Sequence, residues 1–139
     1  MRTPRPAWVV VVLAILEAGW LAFDGGRALV VGDYVTPSSG PYAGQLGPWA
    51  TVVSAVGIDP RSTLMKAIHL GLGTTWLVVT ASFVLRMRLA WWGMLVCAVL
   101  GLWYLPFGTL LSLAQVVLLL LPAIREAGRW DHPTASRTP

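Results

Sequence analysis

Glu17, Lys66, His69 and Gln115 are the residues of this 139-residue chain that could do chemistry where they stand, because the stretches around them are apolar. Charged groups in lipid are costly, about 2.5 to 3.5 kcal/mol on insertion scales, so such residues are expected to face inward and find partners. Counted from the ends of their segments at 1.5 Å per residue, Glu17 and His69 each lie ~9 Å deep and Gln115 ~12 Å deep. Lys66 is shallower, and Thr109 and Ser112 step down toward Gln115. Helical spacing puts Glu17, Trp20, Leu21 and Asp24 on one face, Lys66, His69, Gly73 and Trp76 on a second, and Ser112 with Gln115 on a third. Where those faces converge, Glu17 is expected to hydrogen-bond His69 or to pair with Lys66. Two roles fit such a cluster. It is either a site that exchanges protons or binds a ligand, since these groups change protonation near neutral pH, or a polar clasp that fixes helix register.

The elements that must position these residues are four apolar stretches, read as helices at about 7–23, 63–85, 89–105 and 107–124. Each has roughly the 20 residues needed to cross ~30 Å of hydrocarbon, which predicts an all-α integral membrane protein, a four-helix up-down-up-down bundle. Composition agrees: 56% of residues are hydrophobic, 12% are charged, and the mean hydropathy is +0.69. The first stretch resembles a signal peptide. Glu17 and the bulky Trp20 stand where small cleavage-site residues belong, so it is read as a retained helix. Arginines fix the orientation. Arg2, Arg5, Arg86, Arg88, Arg125, Arg129 and Arg137 fall on one side of the four stretches, against Arg27, Arg61 and Lys66 on the other. Cytoplasmic loops collect basic residues, so both termini are expected in the cytoplasm of the plasma (inner) membrane. Trp8, Trp91 and Trp92 would mark the inner interface, and Trp20, Trp103 and Tyr104 the outer one.

The long first connection, 24–62, is then extracytoplasmic. Its first part is rich in glycine and proline, which favours turns, and it carries a candidate surface of Asp24, Arg27, Asp33, Tyr34, Tyr42 and Gln45. Over 48–56 the pattern changes: Trp49, Val52, Val53 and Val56 fall at i, i+3, i+4 and i+7, one face of a short interfacial helix. Pro48 suits its first position and Gly57 its stop, while Asp59 and Pro60 read as the cap and first turn of the next helix.

Several function classes are set aside by composition. The chain is one domain long, so the function must lie in the bundle or its loops. The ten basic residues sit at segment ends without interleaved aromatics, which speaks against nucleic-acid binding. One cysteine, Cys97, allows no disulfide within a monomer and is read as a packing residue. His69 and His132 stand on opposite sides of the membrane, which excludes bis-histidine haem within one chain and a histidine-rich zinc site, so no cofactor or metal is expected. Small residues recur every four at Gly93, Cys97 and Gly101 and at Ala67, Gly71 and Thr75, stripes that would permit close helix contact or an oligomer interface. The tail, 126–139, shows no apolar periodicity and is expected to be disordered.

Four helices with Glu17 in the first resemble the small multidrug-resistance transporters, in which such a glutamate exchanges protons for cations. The connection after helix 1 is much longer than in that family, and the arginine bias departs from its dual-topology members. The order of helix, long loop with a short amphipathic helix, then three closely spaced helices is similar to DoxX-like small membrane proteins. Segment 52–77, where Gly57, Ile58 and Pro60 precede a glycine-containing helix, carries that likeness. Neither assigns a family. The expectation is a non-enzymatic accessory or small-ligand-binding protein in the lipid bilayer, alone, as a homo-oligomer or in a larger membrane complex. A proton-coupled carrier and a quinone- or lipid-interacting enzyme subunit are the alternatives.

Overall fold

The computed structural model describes residues 5–128, and these form six α-helices and no strand. They are α1 (Arg5–Val31), α2 (Trp49–Ala55), α3 (Thr63–Val84), α4 (Ala90–Gly101), α5 (Phe107–Leu120) and α6 (Pro122–Gly128). Arg2, Arg129, Arg137, His132 and the tail beyond residue 128 lie outside the described residues. Two helices, α1 and α3, are long and apolar enough to cross a membrane; α4 and α5 are apolar but shorter.

The helix ends follow from local chemistry. Helix α1 continues past the expected end at Phe23 to Val31, and Gly25 and Gly26 stay inside it instead of turning the chain. Helix α2 ends in a left-handed glycine: Gly57 has φ +83°, its N–H bonds Ser54 O, and Ile58 N–H bonds Val53 O, which satisfies two terminal carbonyls. The cap of α3 is Ser62, whose Oγ accepts from Met65 N–H at 3.2 Å, and not Asp59 as the sequence suggested. Asp59 instead closes a tight local turn by accepting from Arg61 N–H at 2.9 Å. Helix α3 stops with Arg86 at φ +58°, where Met87 N–H reaches back to Ser82 O. Helix α4 stops at Gly101, four residues short of the expected 105, as Tyr104 N–H bonds Gly101 O in a tightened turn ahead of Pro106. Pro122 divides the fourth apolar stretch: it has no N–H to continue α5 and forces Leu121 into extended backbone (ψ 135°), after which α6 starts. The buried Trp91 indole N–H caps the end of α5 by donating to Leu119 O at 3.0 Å.

Helices α1, α3, α4 and α5 pack in a ring in which α1 meets α3 and α5, and α4 meets α3 and α5. Neighbours run antiparallel. Val11 and Ile15, early in α1, share a groove with Thr80 and Val84, late in α3, and Trp91 at the start of α4 meets Leu119 at the end of α5. The α1–α3 contact is backbone against backbone. A Cβ at Gly73 would fall 2.6 Å from Ala18 O and also meet the Ala22 backbone, and one at Gly25 would fall 2.5 Å from Leu70 N and 2.6 Å from the His69 Cβ. The Ala67–Gly71–Thr75 stripe is not that contact: all three are exposed, and a Cβ at Gly71 would meet nothing. On α4 the small residues do face neighbours, Gly93 against Val79 of α3 and Gly101 against Trp76, Ser112 and Glu17.

The main core lies along this ring, from Ala7, Val10 and Val11 through Ala18, Leu21, Trp76, Met94 and Ala98 to Leu119. A second, smaller core sits at the loop end, where Trp49 and Val53 of α2 pack on Ala28, Tyr34 and Met65. Only half of the expected α2 face is buried. Trp49 and Val53 point down while Val52 and Val56 are exposed, because α2 lies on the end of the ring with its other flank open.

Candidate functional site

Two levels of polar side chains stand between the helices. At the deeper level, Glu17 is 3% exposed and bridges α1 to α5: Ser112 Oγ donates to Oε1 at 2.8 Å and Gln115 Nε2 donates to Oε2 at 2.9 Å. Small residues make room for the carboxylate. A Cβ at Gly101 would fall 2.7 Å from Oε1, and one at Gly108 would fall 3.0 Å from it. Because Ser112 and Gln115 both donate, Glu17 is held as an acceptor on both oxygens. The Gln115 Oε1 and the Trp76 Nε1 are buried without a partner among the described residues.

The upper level holds His69 and Asp24. His69 is fully buried, and its Nδ1 lies 3.0 Å from Met65 O; a carbonyl only accepts, so Nδ1 carries the hydrogen and Nε2 is the acceptor nitrogen, which has no partner among the described residues. Four aromatic rings surround the imidazole: Tyr34, Trp49, Trp103 and Tyr104, with centroids 4.8 to 5.6 Å away. Asp24 is 2% exposed and accepts from Val35 N–H at 2.7 Å, which ties the loop back onto α1.

The expected Glu17–His69 and Glu17–Lys66 pairs do not form. With Gly73 seated against Ala18 and Ala22, and Gly25 against Lys66 to Leu70, His69 is level with Asp24, and Trp76 is level with Glu17. Lys66 Nζ donates to Gly32 O instead. The depth argument failed because α1 extends to Val31, so Glu17 lies roughly 20 Å from its outer end at 1.5 Å per residue. Gln115, from the third polar face, is brought to Glu17 instead.

The six loop residues do not form one surface. Asp24 and Tyr34 are buried; Arg27 Nη1 donates to Asp33 O at 2.8 Å; Asp33 pairs with Arg61 Nε at 3.1 Å, and Arg61 also donates to Gly44 O at 2.8 Å. Tyr42 is exposed, and the Gln45 side-chain amide donates to Pro41 O at 3.3 Å. Slight burial acts to raise the pKa of Asp33, but the hydrogen bonds from Arg61 and Tyr34 N–H and the charges of Arg61 and Lys66 outweigh it, so its carboxyl lies below the usual range. Burial, followed by the charge of Asp24, holds the Tyr34 phenol above its ordinary value, so it stays neutral.

Between these levels a cleft of about 520 Å³ opens on one side of the ring. Helix α1 lines it with Leu16, Glu17, Trp20 and Asp24, the loop and α2 with Tyr34, Val35, Leu46 and Trp49, and the α4–α5 turn with Tyr104, Pro106, Phe107, Gly108 and Leu111. Trp20 Nε1 donates to Tyr104 Oη at 2.9 Å across it, and Trp49 stacks on Tyr104 with centroids 5.8 Å apart. The volume suits a small organic molecule. Trp49 and Tyr104 were legible as interfacial aromatics but not as walls of a common space, since that depends on α2 folding onto the turn after α4. Among the described residues no three His, Cys, Asp or Glu side chains cluster as metal ligands. No family model, curated protein or solved structure matches the chain.

Proposed function

We propose that this chain is a multi-pass plasma-membrane protein that binds a small amphipathic ligand in the cleft beside Glu17, acting as a non-enzymatic accessory or binding protein. The observation that carries the reading is the cleft itself, walled by aromatic rings and floored by a buried carboxylate that α5 holds in place. The four apolar helices would all span, with both termini cytoplasmic and the 32–48 loop outside. Exposed Val12, Leu16, Val78, Val96, Leu113 and Val117 form an apolar surface suited to lipid, and the arginine bias sets the direction. Helices α4 and α5, at ~18 and ~21 Å, are shorter than the hydrocarbon core, so the turn at 102–106 and helix α6 would complete their spans and the bilayer would thin beside them. A proton-coupled carrier is the second reading, favoured by Glu17, whose only hydrogen-bond partners among the described residues are the neutral Ser112 and Gln115.

Cysteine labelling tests the arrangement, because Cys97 is buried and can be removed as Cys97→Ala. In that background a membrane-impermeant maleimide on intact cells is expected to label Tyr42→Cys directly and Met87→Cys only after permeabilisation. Leu111→Cys, in the cleft wall, is expected to react from outside, more slowly than Tyr42→Cys. Labelling of Met87→Cys from outside, or of Leu111→Cys only after permeabilisation, contradicts the orientation.

A further inference from the structure

The charges around the cleft narrow the ligand further, on the reading that the cleft is a binding site. Glu17 and Asp24 lie on one face of α1, two turns or ~10.5 Å apart, and both line the cleft. Among the described residues no lysine or arginine lines it. Arg27, one turn beyond Asp24, donates to the Asp33 carbonyl while its charge still acts on Asp24, and Lys66 donates to the carbonyl of Gly32. Asp24 is 2% exposed, its Oδ1 is taken by Val35 N–H, and its Oδ2 meets no donor among the described residues. A carboxylate oxygen without a donor, on a nearly buried residue that lines an apolar cleft, calls for a cation or a hydrogen-bond donor from whatever fills the cleft. Trp20, Tyr34, Trp49, Tyr104 and Phe107 supply the rest of the wall, and the electron-rich faces of such rings attract ammonium groups. An anion would meet two carboxylates in the lining, with Arg27 behind Asp24 and not in the wall, and a neutral apolar molecule would leave Asp24 Oδ2 unpaired. Leu16 and Phe107, both well exposed at the rim, give an apolar tail an exit toward the lipid.

We propose that the cleft takes an organic cation, one ammonium group carried on an apolar or aromatic body, with the ammonium seated between Asp24 and the Trp49–Tyr104 stack and the body lying along Leu16, Phe107 and Leu111. The ammonium is either that of a free amphiphile or the headgroup of a lipid entering from the bilayer.

Two probes of the same shape test it on the purified full-length chain in nonionic detergent: phenylbutyltrimethylammonium and its uncharged isostere, in which carbon replaces nitrogen. Titrated against empty micelles as the reference, the cation is expected to bind at least about tenfold more tightly than the isostere. In Asp24→Asn, which keeps the acceptor for Val35 N–H, that preference is expected to collapse to about twofold or less. Equal binding of the two probes to the unsubstituted chain overturns the cation while leaving the cleft a binding site; binding of neither overturns both. Tight cation binding that Asp24→Asn leaves unchanged, in protein that remains monodisperse, also overturns the placement. Phosphatidylcholine added to the same micelles separates the sources: displacement of the cation assigns a lipid headgroup, and no displacement assigns a free amphiphile.

Discussion

Gly73→Leu is expected to abolish accumulation of folded protein. The glycine lies where α3 rests directly on the α1 backbone at Ala18 and Ala22, and no rotamer of a larger side chain avoids those main-chain atoms. The helices would have to separate, disturbing Leu21 and Trp76 in the core, at an expected cost of at least about 3 kcal/mol. Gly71→Leu provides the control: two residues away on the same helix, it is exposed with nothing near its Cβ position, and is expected to be neutral. The yield of monodisperse full-length protein in mild detergent reads both. Similar yields for the two variants would contradict the α1–α3 packing.

Replacing Glu17 has the next largest effect, and its two variants should separate. Glu17→Ala removes the acceptor of both the Ser112 hydroxyl and the Gln115 Nε2–H and leaves a void at the α1–α5 contact. Side-chain hydrogen bonds between membrane helices contribute about 1 kcal/mol each, and stranding their donors adds to that, so a loss of about 2 to 3 kcal/mol is expected. Glu17→Gln keeps the shape and one acceptor, and the Ser112 hydroxyl can rotate to accept from its amide, so a loss of about 1 kcal/mol or less is expected. Thermal melting followed by size-exclusion chromatography measures the difference. Equal melting of both variants and the parent would show that Glu17 does not tie α1 to α5.

Much of the helical plan was legible because apolar length and capping chemistry act locally. The glycine stop of α2 at Gly57 could be read from sequence. The errors came where a residue type serves two purposes. Gly25 was read as a turn former, yet it is a helical glycine whose missing side chain lets α1 approach the Lys66 to Leu70 turn of α3. Ending α1 at Phe23 then misplaced Glu17 relative to α3 and suggested a pairing with His69. The shared face of Ser112 and Gln115 was legible, since they are three apart on a single stripe, but that Glu17 is their partner was not, because the depth of Glu17 depends on where α1 ends. Nor was the aromatic enclosure of His69, because Tyr34, Trp49 and the Trp103–Tyr104 pair come from three separate places in the chain and meet only when α2 closes over the end of the ring.

Photolabelling tests most directly whether the cleft is where a ligand binds. A small aromatic amine amphiphile carrying a diazirine, bound to the full-length chain in lipid nanodiscs and irradiated, leaves adducts that peptide mass spectrometry can place. The account predicts saturable adducts on residues 16–24 and 104–111, abolished by excess unlabelled amphiphile, because these stretches form the two long walls of the cleft. Adducts spread over the exposed apolar positions Val78, Val96 and Val117, rising with probe concentration and not competed, would contradict it.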